Sequence, residues 1–329
     1  MKPTVKQIAL DLGLSPATVS KALSGRHEIS EGTRARVQER AQELGYLKSP
    51  GLRRRLGVIA VNPDDMEDSQ TSLMFTLLMG FQKYADRVDL DVVVFHINGE
   101  GQETLDQFAQ KNKFDGLFIM GIKNTGPYYF QLETTTTPIV TLDIHVKNPM
   151  VGIVGTNSIS GGALAIKHLT RLGHTRIGFV NGHKEAYISQ ERLAGYLAAM
   201  YSHGIPFDQS LCFDGDFSME SGARAAEYFS KTDSTAIYFA SDLMAMGAIR
   251  HFITMGYDLP GDMSIVGYDN LPLCQGCTPT LTSVAQDPAA LGETACALLR
   301  SLAQNTPVSR AYLEPWLEIR GSTAALPRP

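Results

Sequence analysis

From residue 57 onward, short apolar runs alternate with amphipathic stretches, and no other feature restricts the fold as much. The runs occupy 57–61, 92–95, 116–120, 139–142, 177–180, 236–240 and 264–266. Stretches with helical spacing lie between or after them, near 71–87, 101–113, 158–172, 186–203, 219–231, 242–256 and 289–304. Strands that alternate with helices build parallel sheets covered on both faces, so the expected class is α/β. A segment of about 270 residues exceeds the size at which one core stops growing, and two lobes are expected.

Open parallel sheets bind ligands beyond the carboxyl ends of their strands. The residues at those ends are therefore the candidates. Asp143 follows 139–142, Ser241 and Asp242 follow 236–240, and Asp269 follows 264–266. Arg192 lies near a helix start and Phe217 lies in a Gly-Asp-Phe-Ser turn. Carboxylates and a guanidinium around one aromatic face suit a polyhydroxylated ligand, because hydroxyls donate to the former and accept from the latter.

The first 56 residues differ in kind. Thr4 and Gln7 are spaced for a capping box, and Val5, Ile8, Ala9 and Leu12 form one apolar stripe. Gly13 stops that helix, Ser15 caps a second and Pro16 opens it. Val19, Ala22 and Leu23 then face inward and leave Ala17, Thr18, Ser20 and Lys21 outward. A third helix is expected from Ser30 through Val37, Ala41 and Leu44 to Gly45. The pattern is a helix-turn-helix, whose second helix enters the DNA major groove. Residues 1–56 carry 11 Lys and Arg against 5 Asp and Glu, a net of +6, while the whole chain is −5. A basic head on an acidic body is the footprint of a nucleic-acid binder.

Several segments of the head resemble the lactose-repressor (LacI/GalR) family of bacterial transcription regulators. They are Thr4-Val5-Lys6-Gln7-Ile8-Ala9, Gly13-Leu14-Ser15-Pro16-Ala17-Thr18-Val19-Ser20, Ile29-Ser30, Thr33-Arg34 and Leu44-Gly45-Tyr46. The likeness continues through 169–178, 241–248 and 264–270. It implies that Ala17 and Lys21 read bases, while Thr4, Ser15, Thr18, Ser20, Ser30 and Thr33 hold phosphates. It also implies two lobes like those of periplasmic sugar-binding proteins, with the effector between them. Arg192, Asp242 and Asp269 would contact the effector, and Asp143, Phe217 and Gln286 would line its pocket. Leu73 and Met74 occupy positions where the family often has aromatics. Ser241 replaces a common asparagine, and Asn157 a common aspartate. The expected lobes are 57–155 with 287–308, and 156–285 with 312–329. Closure of the cleft would change the separation of two heads in a homodimer and so convert effector binding into operator affinity.

Residues 47–56 are expected to form the linker between the 1–46 head and the 57–329 body. This is shorter than the family's usual connection, and Pro50-Gly51 opposes a helix there. Arg53, Arg54 and Arg55 are placed to touch phosphate, and the usual hinge helix is expected to be truncated or absent. No stretch approaches a membrane span and no apolar signal core precedes the head, so a cytoplasmic protein is expected, nucleoid-associated when bound to DNA. Cys274-x-x-Cys277 has no second pair at zinc spacing, and no phosphate loop, nucleophile elbow or zinc-protease helix occurs. No cofactor, metal or enzymatic activity is expected. His168 and His174 are assigned structural roles.

The leading reading is an effector-controlled repressor on a near-palindromic operator, with a sugar or sugar derivative as effector. A purine or other corepressor is the alternative. A solute-binding protein or a sugar-modifying enzyme would fit the body but not the head.

Overall fold

Helix α1 (Val5–Leu12) begins where the Thr4 hydroxyl accepts from the Gln7 amide at 3.3 Å. The Gln7 side chain does not complete the expected capping box, because it donates to Asp11, one turn ahead, at 3.0 Å. Gly13 ends the helix at φ +66°, a left-handed conformation that glycine adopts without strain. Helix α2 (Pro16–Leu23) is capped by Ser15, which accepts from the Thr18 amide at 3.0 Å, and α3 (Glu31–Glu43) follows Ser30. Ile8, Ala9, Val19, Ala22, Val37 and Ala41 are buried together as the core of this small unit. Arg40 of α3 grips Asp11 of α1 at 2.7 and 2.9 Å and holds its carboxyl below the ordinary value.

The computed structural model describes residues 4–23, 29–44, 54–61, 68–97, 103–122, 126–306 and 310–326. Gly45 and residues 47–53 of the 47–56 linker, Arg53 among them, and with them the question of its hinge helix, lie outside the described residues. The chain divides into two units, Met1–Arg54 and Arg55–Pro329. The second unit starts earlier than the expected residue 57, because the first strand pairs from Arg55.

The larger unit contains two six-stranded sheets. Sheet one takes β1 (Arg55–Val61), β2 (Asp91–Ile97), β3 (Gly116–Met120), β4 (Ile139–Leu142), β5 (Val151–Thr156) and, from far along the chain, β11 (Arg310–Leu313). Its order is β11-β5-β4-β3-β1-β2 and every pairing is parallel. Helices α4 (Asp68–Arg87), α5 (Leu105–Asn112), α6 (Pro127–Leu132) and α11 (Pro288–Leu302) accompany it. Strand alternation divides its core. Leu56, Val58, Phe118 and Met120 pack with Leu77 and Phe81 of α4 and Leu291 and Leu299 of α11. Ile59, Leu117 and Ile119 pack with Leu105, Ala109 and Leu132 on the other face.

Sheet two is ordered β12-β10-β9-β8-β6-β7. Its strands are β6 (Ile177–Asn181), β7 (Cys212–Asp214), β8 (Ala236–Phe239), β9 (Ser264–Asp269), β10 (Thr282–Ala285) and β12 (Trp316–Glu318). Only the β10–β12 pairing is antiparallel. Helices α7 (Ser158–Arg171), α8 (Tyr187–Ser202), α9 (Met219–Phe229) and α10 (Asp242–Thr254) flank it. The chain crosses between the sheets after Thr156, after Ala285 and after Leu313. The third crossing lies later than expected, because β11 pairs with β5 in sheet one before the chain leaves.

The seven expected runs coincide with strands. Strands β5, β7, β10, β11 and β12 and helix α6 were not visible as runs. Strand β5 reads Val-Gly-Ile-Val-Gly-Thr, and its two glycines break the apolar signal. No helix among the described residues is long and apolar enough to cross a membrane.

The C-terminal segment is fastened to the second lobe by the two histidines. His168 Nε2 meets the Thr323 hydroxyl at 2.9 Å, and His174 bridges the Thr235 hydroxyl (2.9 Å) and the Ala324 carbonyl (3.0 Å). Burial pushes the His174 imidazole below its ordinary 6.5. The folded state therefore prefers it neutral, and its contribution is present above pH 6.5 and lost as acid protonates the unfolded chain. His174→Ala is expected to cost about 2 kcal/mol at pH 7.5 and less at pH 5.5, measured by urea unfolding at both pH values.

Candidate functional site

Two surfaces carry the sequence-identified residues, one on each unit. On the head, Ala17, Ser20 and Lys21 are exposed along α2, and Thr4, Ser15 and Ser30 are exposed at the helix starts. Thr18 and Thr33 are half-buried, with their hydroxyls paired to Ser15 (2.8 Å) and Ser30 (2.9 Å). The hydroxyls of Thr4, Ser15, Thr18, Ser30 and Thr33 therefore lie at helix N-termini, where backbone amides favour anions, whereas Ser20 lies further along α2. Arg54 is half-buried.

On the body, a cavity of about 290 Å³ opens between the two sheets. Leu73, Met74, Asp143, Arg192, Phe217, Asp269 and Gln286 all line it, as does Ser241. Asp143 stands just past β4 at φ +57°, with its amide tied to the Val154 carbonyl at 3.0 Å. Its carboxylate lies over Gly155 of β5, where any side chain would collide with it. Among the described residues no group donates a hydrogen bond to that carboxylate. Burial pushes Asp143 up to about 7, with Arg192 opposing the shift.

Arg192 is the central group. It is 4% exposed. Its guanidinium lies 3.7 Å from the centre of the Tyr268 ring, donates to the Ala240 carbonyl and stands 3.6 Å from Asp269. Burial works against its charge, but Asp269, Tyr268, Tyr238 and Asp143 together hold it above its ordinary value. Asp269, at φ +113°, is itself pushed up to about 7 by burial, with Arg192 opposing the shift. It accepts from Gln286 Nε2 at 2.8 Å, and Gln286 Oε1 accepts from Thr156 at 2.9 Å. Gln286 thus relays sheet one to the carboxylate of sheet two. Phe217 reaches the cavity at φ +70° because Gly182 leaves room for its ring.

Asp242 does not line the cavity, contrary to expectation. Its carboxylate is fully buried and accepts from the Ser283 hydroxyl (2.6 Å), the Leu271 amide (2.8 Å) and the Cys274 thiol (3.1 Å). As the first residue of α10 it turns inward, while the capping Ser241, one residue earlier, meets the cavity. The Cys274-x-x-Cys277 pair is two free thiols, one of them a partner of Asp242.

Sequence reasoning missed most of the apolar wall. Leu77 lies one turn beyond Leu73 on α4, and Pro288 and Leu291 open α11. Met120, Leu142, Ile188 and Leu243 complete the wall, and Thr156 and Ser158 add hydroxyls. Helical spacing could have found Leu77, but which face of α4 meets a cavity is a tertiary fact. At the rim, His145 of lobe one stacks on Tyr187 of lobe two at 3.9 Å and pairs with the Tyr312 hydroxyl at 2.7 Å.

Comparisons with known proteins identify the family. Residues 4–49 match the family described as bacterial regulatory proteins, lacI family, and residues 166–323 match a periplasmic binding protein-like domain. The HTH-type transcriptional repressor CytR of Escherichia coli (strain K12) is 30% identical over 98% of this chain and 97% of its own length. The HTH-type transcriptional repressor PurR of Photobacterium profundum is 29% identical over 98% of this chain and 99% of its own length. The solved complex of the transcriptional regulator CelR with cellobiose superposes with a TM-score of 0.72 at 28% identity, covering 97% of this chain and 99% of that one. This chain belongs to the lacI family of bacterial regulatory proteins, which are DNA-binding transcription regulators controlled by an effector and not enzymes.

Proposed function

We propose that this chain is a repressor that binds a near-palindromic operator as a homodimer and answers to a sugar or sugar derivative in the cavity. On this reading α2 reads bases through Ala17 and Lys21, and Thr4, Ser15, Thr18, Ser20, Ser30 and Thr33 hold phosphates. Arg53 and Arg54 add sequence-independent attraction. The protein works in the cytoplasm and joins the nucleoid when bound to DNA.

The observation that carries the effector reading is the pair Asp143 and Asp269 set around a fixed Arg192 with Phe217 beside them. Hydroxyls of a sugar donate to the two carboxylates, and the C–H face of the ring packs on Phe217. A purine corepressor is the second reading. It is favoured by the likeness to PurR, and its N–H groups would meet the same carboxylates. Effector binding is stronger in one lobe arrangement than in the other, and that difference is converted to operator affinity.

A thermal-shift screen of sugars, with hypoxanthine and guanine as the competing arm, tests the effector class. Arg192→Ala or Asp269→Ala is expected to abolish the shift while operator binding without ligand persists. A chain of residues 55–329 is expected to keep the shift and lose operator binding in a mobility assay.

The two raised carboxylates give binding a pH dependence. Ionised, they accept more strongly and at both oxygens, so effector affinity is expected to rise between pH 6 and pH 8. In Asp143→Asn the remaining affinity is expected to vary less with pH, as read by calorimetry at both values. Tyr187→Leu removes the stacked contact that spans the lobes without touching the cavity. It is expected to weaken effector binding by roughly 2- to 10-fold, mostly through faster dissociation in stopped-flow traces.

A further inference from the structure

We propose that Arg192 Nε, the Tyr238 hydroxyl and the Ser189 hydroxyl together hold one buried water molecule between α8 and β8, and that this water keeps the Arg192 guanidinium from closing on Asp269. Tyr238 and Ser189 are then positioning residues, because they act on the cavity only through Arg192. The proposal is independent of which effector the cavity takes.

Three polar atoms carry it. Arg192 Nε, Tyr238 Oη and Ser189 Oγ are all enclosed, and none has a hydrogen-bond partner among the described residues. One such atom is costly, and three on facing elements require a shared partner. Ser189 and Arg192 stand three residues apart on the buried stripe of α8. A long side chain on a helix leans over the turn before its own, so the Arg192 stem passes Ser189. Tyr238 lies in β8 two residues before Ala240, whose carbonyl accepts from Arg192. The Tyr238 hydroxyl and the guanidinium act on each other electrostatically, and burial keeps that hydroxyl protonated. One N–H donor and two hydroxyls match the two lone pairs and two hydrogens of a single water. Tyr238 and Ser189 lie outside the cavity lining, so a ligand in the cavity does not supply that partner.

The water has a consequence for charge. Arg192 Nη2 stops 3.6 Å from Asp269, beyond hydrogen-bond distance, although a guanidinium and a carboxylate favour a close fork. Nη1 is fixed on the Ala240 carbonyl, and the guanidinium lies against the Tyr268 ring. A water on Nε adds a third anchor and holds the group back. Asp269 then stays raised to about 7 and keeps an oxygen open to a ligand. Without the water, the nearest acceptor for the freed donor edge is Asp269 itself. Arg192, Asp242, Gln286 and Asp143 all act on Asp269, and of these Arg192 alone meets the water.

The experiment uses the full chain without ligand, as wild type and as Tyr238→Phe, Ser189→Ala and Tyr196→Phe. The Tyr196 hydroxyl donates to the Ile177 carbonyl at 2.9 Å, so its loss disturbs the same core away from the site. Crystal structures that resolve waters are paired with titration of the Asp269 carboxyl carbon by NMR. The wild type is expected to show one water within hydrogen-bond distance of all three atoms. In Tyr238→Phe the water is expected to leave, Arg192 to pair with Asp269, and the Asp269 midpoint to fall by about one pH unit, a tenfold loss of proton affinity. Ser189→Ala is expected to move it the same way by less, and serves as the test if Tyr238→Phe does not fold. Tyr196→Phe is expected to leave water and midpoint in place. A wild-type structure with no water there, or with Arg192 Nε bonded directly to Tyr238 or Ser189, overturns the proposal. So does a water that leaves while Asp269 titrates unchanged, or an equal shift in Tyr196→Phe, which would assign the effect to a loosened core.

Discussion

The second lobe is arranged around a charge, Arg192, that is buried except where it meets the cavity. Taking a guanidinium out of solvent costs several kcal/mol, and only good geometry repays that cost. Arg192 has part of that geometry, although its buried Nε has no hydrogen-bond partner among the described residues. The Ala240 carbonyl lies at the end of β8, Asp269 closes β9 and Tyr268 precedes it. One side chain of α8 therefore fixes the ends of two adjacent strands, and those ends form the cavity floor. The raised Asp143 and Asp269 belong to the same balance. Each is buried enough to resist ionisation, and Arg192, which both face, opposes that resistance.

The same balance explains why two adjacent aspartate candidates separated so cleanly. Asp269 faces the cavity and shares Arg192, while Asp242 is enclosed by three donors and holds α10 to the turn before β10. Both follow strands, and the rule about strand ends places both near the site. The rule does not distinguish the residue that caps a helix from the one after it, although the rotation between them sends one side chain to the cleft and the next to the core.

What the sequence revealed follows the distance between interacting residues. The head was readable almost entirely, because caps, the Gly13 stop and the apolar stripe act within one or two turns. Among its described residues, the departure at the Gln7 side chain is a choice between two near partners. The central strands were readable because full burial gives continuous apolar runs. Strands β11 and β12 sit at sheet edges with half-exposed residues, so their composition carries little signal. Strand β11 also belongs to a sheet whose other strands all end by Thr156, which no local pattern encodes. The polar floor of the cavity was legible as strand-end residues. The wall of Leu77 and Leu291 was not, because apolar side chains on helices look alike whether they face a core or a cleft, and Met120 at the end of β3 reads as one more residue of its apolar run.

The crossings between the lobes are more than connections. Gln286, at the second crossing, accepts from Thr156 at the first and donates to Asp269. Asn157, just past the first, caps α7 through the Ser160 amide and donates to Glu314 at the third. Tyr312, just before the third, holds His145 in its stack on Tyr187. All three crossings are thus tied by side chains, and the second is tied directly to a cavity carboxylate. A hinge made only of backbone would let the lobes move without reference to what lies between them. Here Gln286 joins Asp269 to Thr156, so on the proposed reading a ligand that engages Asp269 acts on bonds that also join the lobes. That sharing is the physical requirement for a receptor whose ligand must alter its shape, and it is met by polar side chains at three short segments while the two sheets keep their own separate cores.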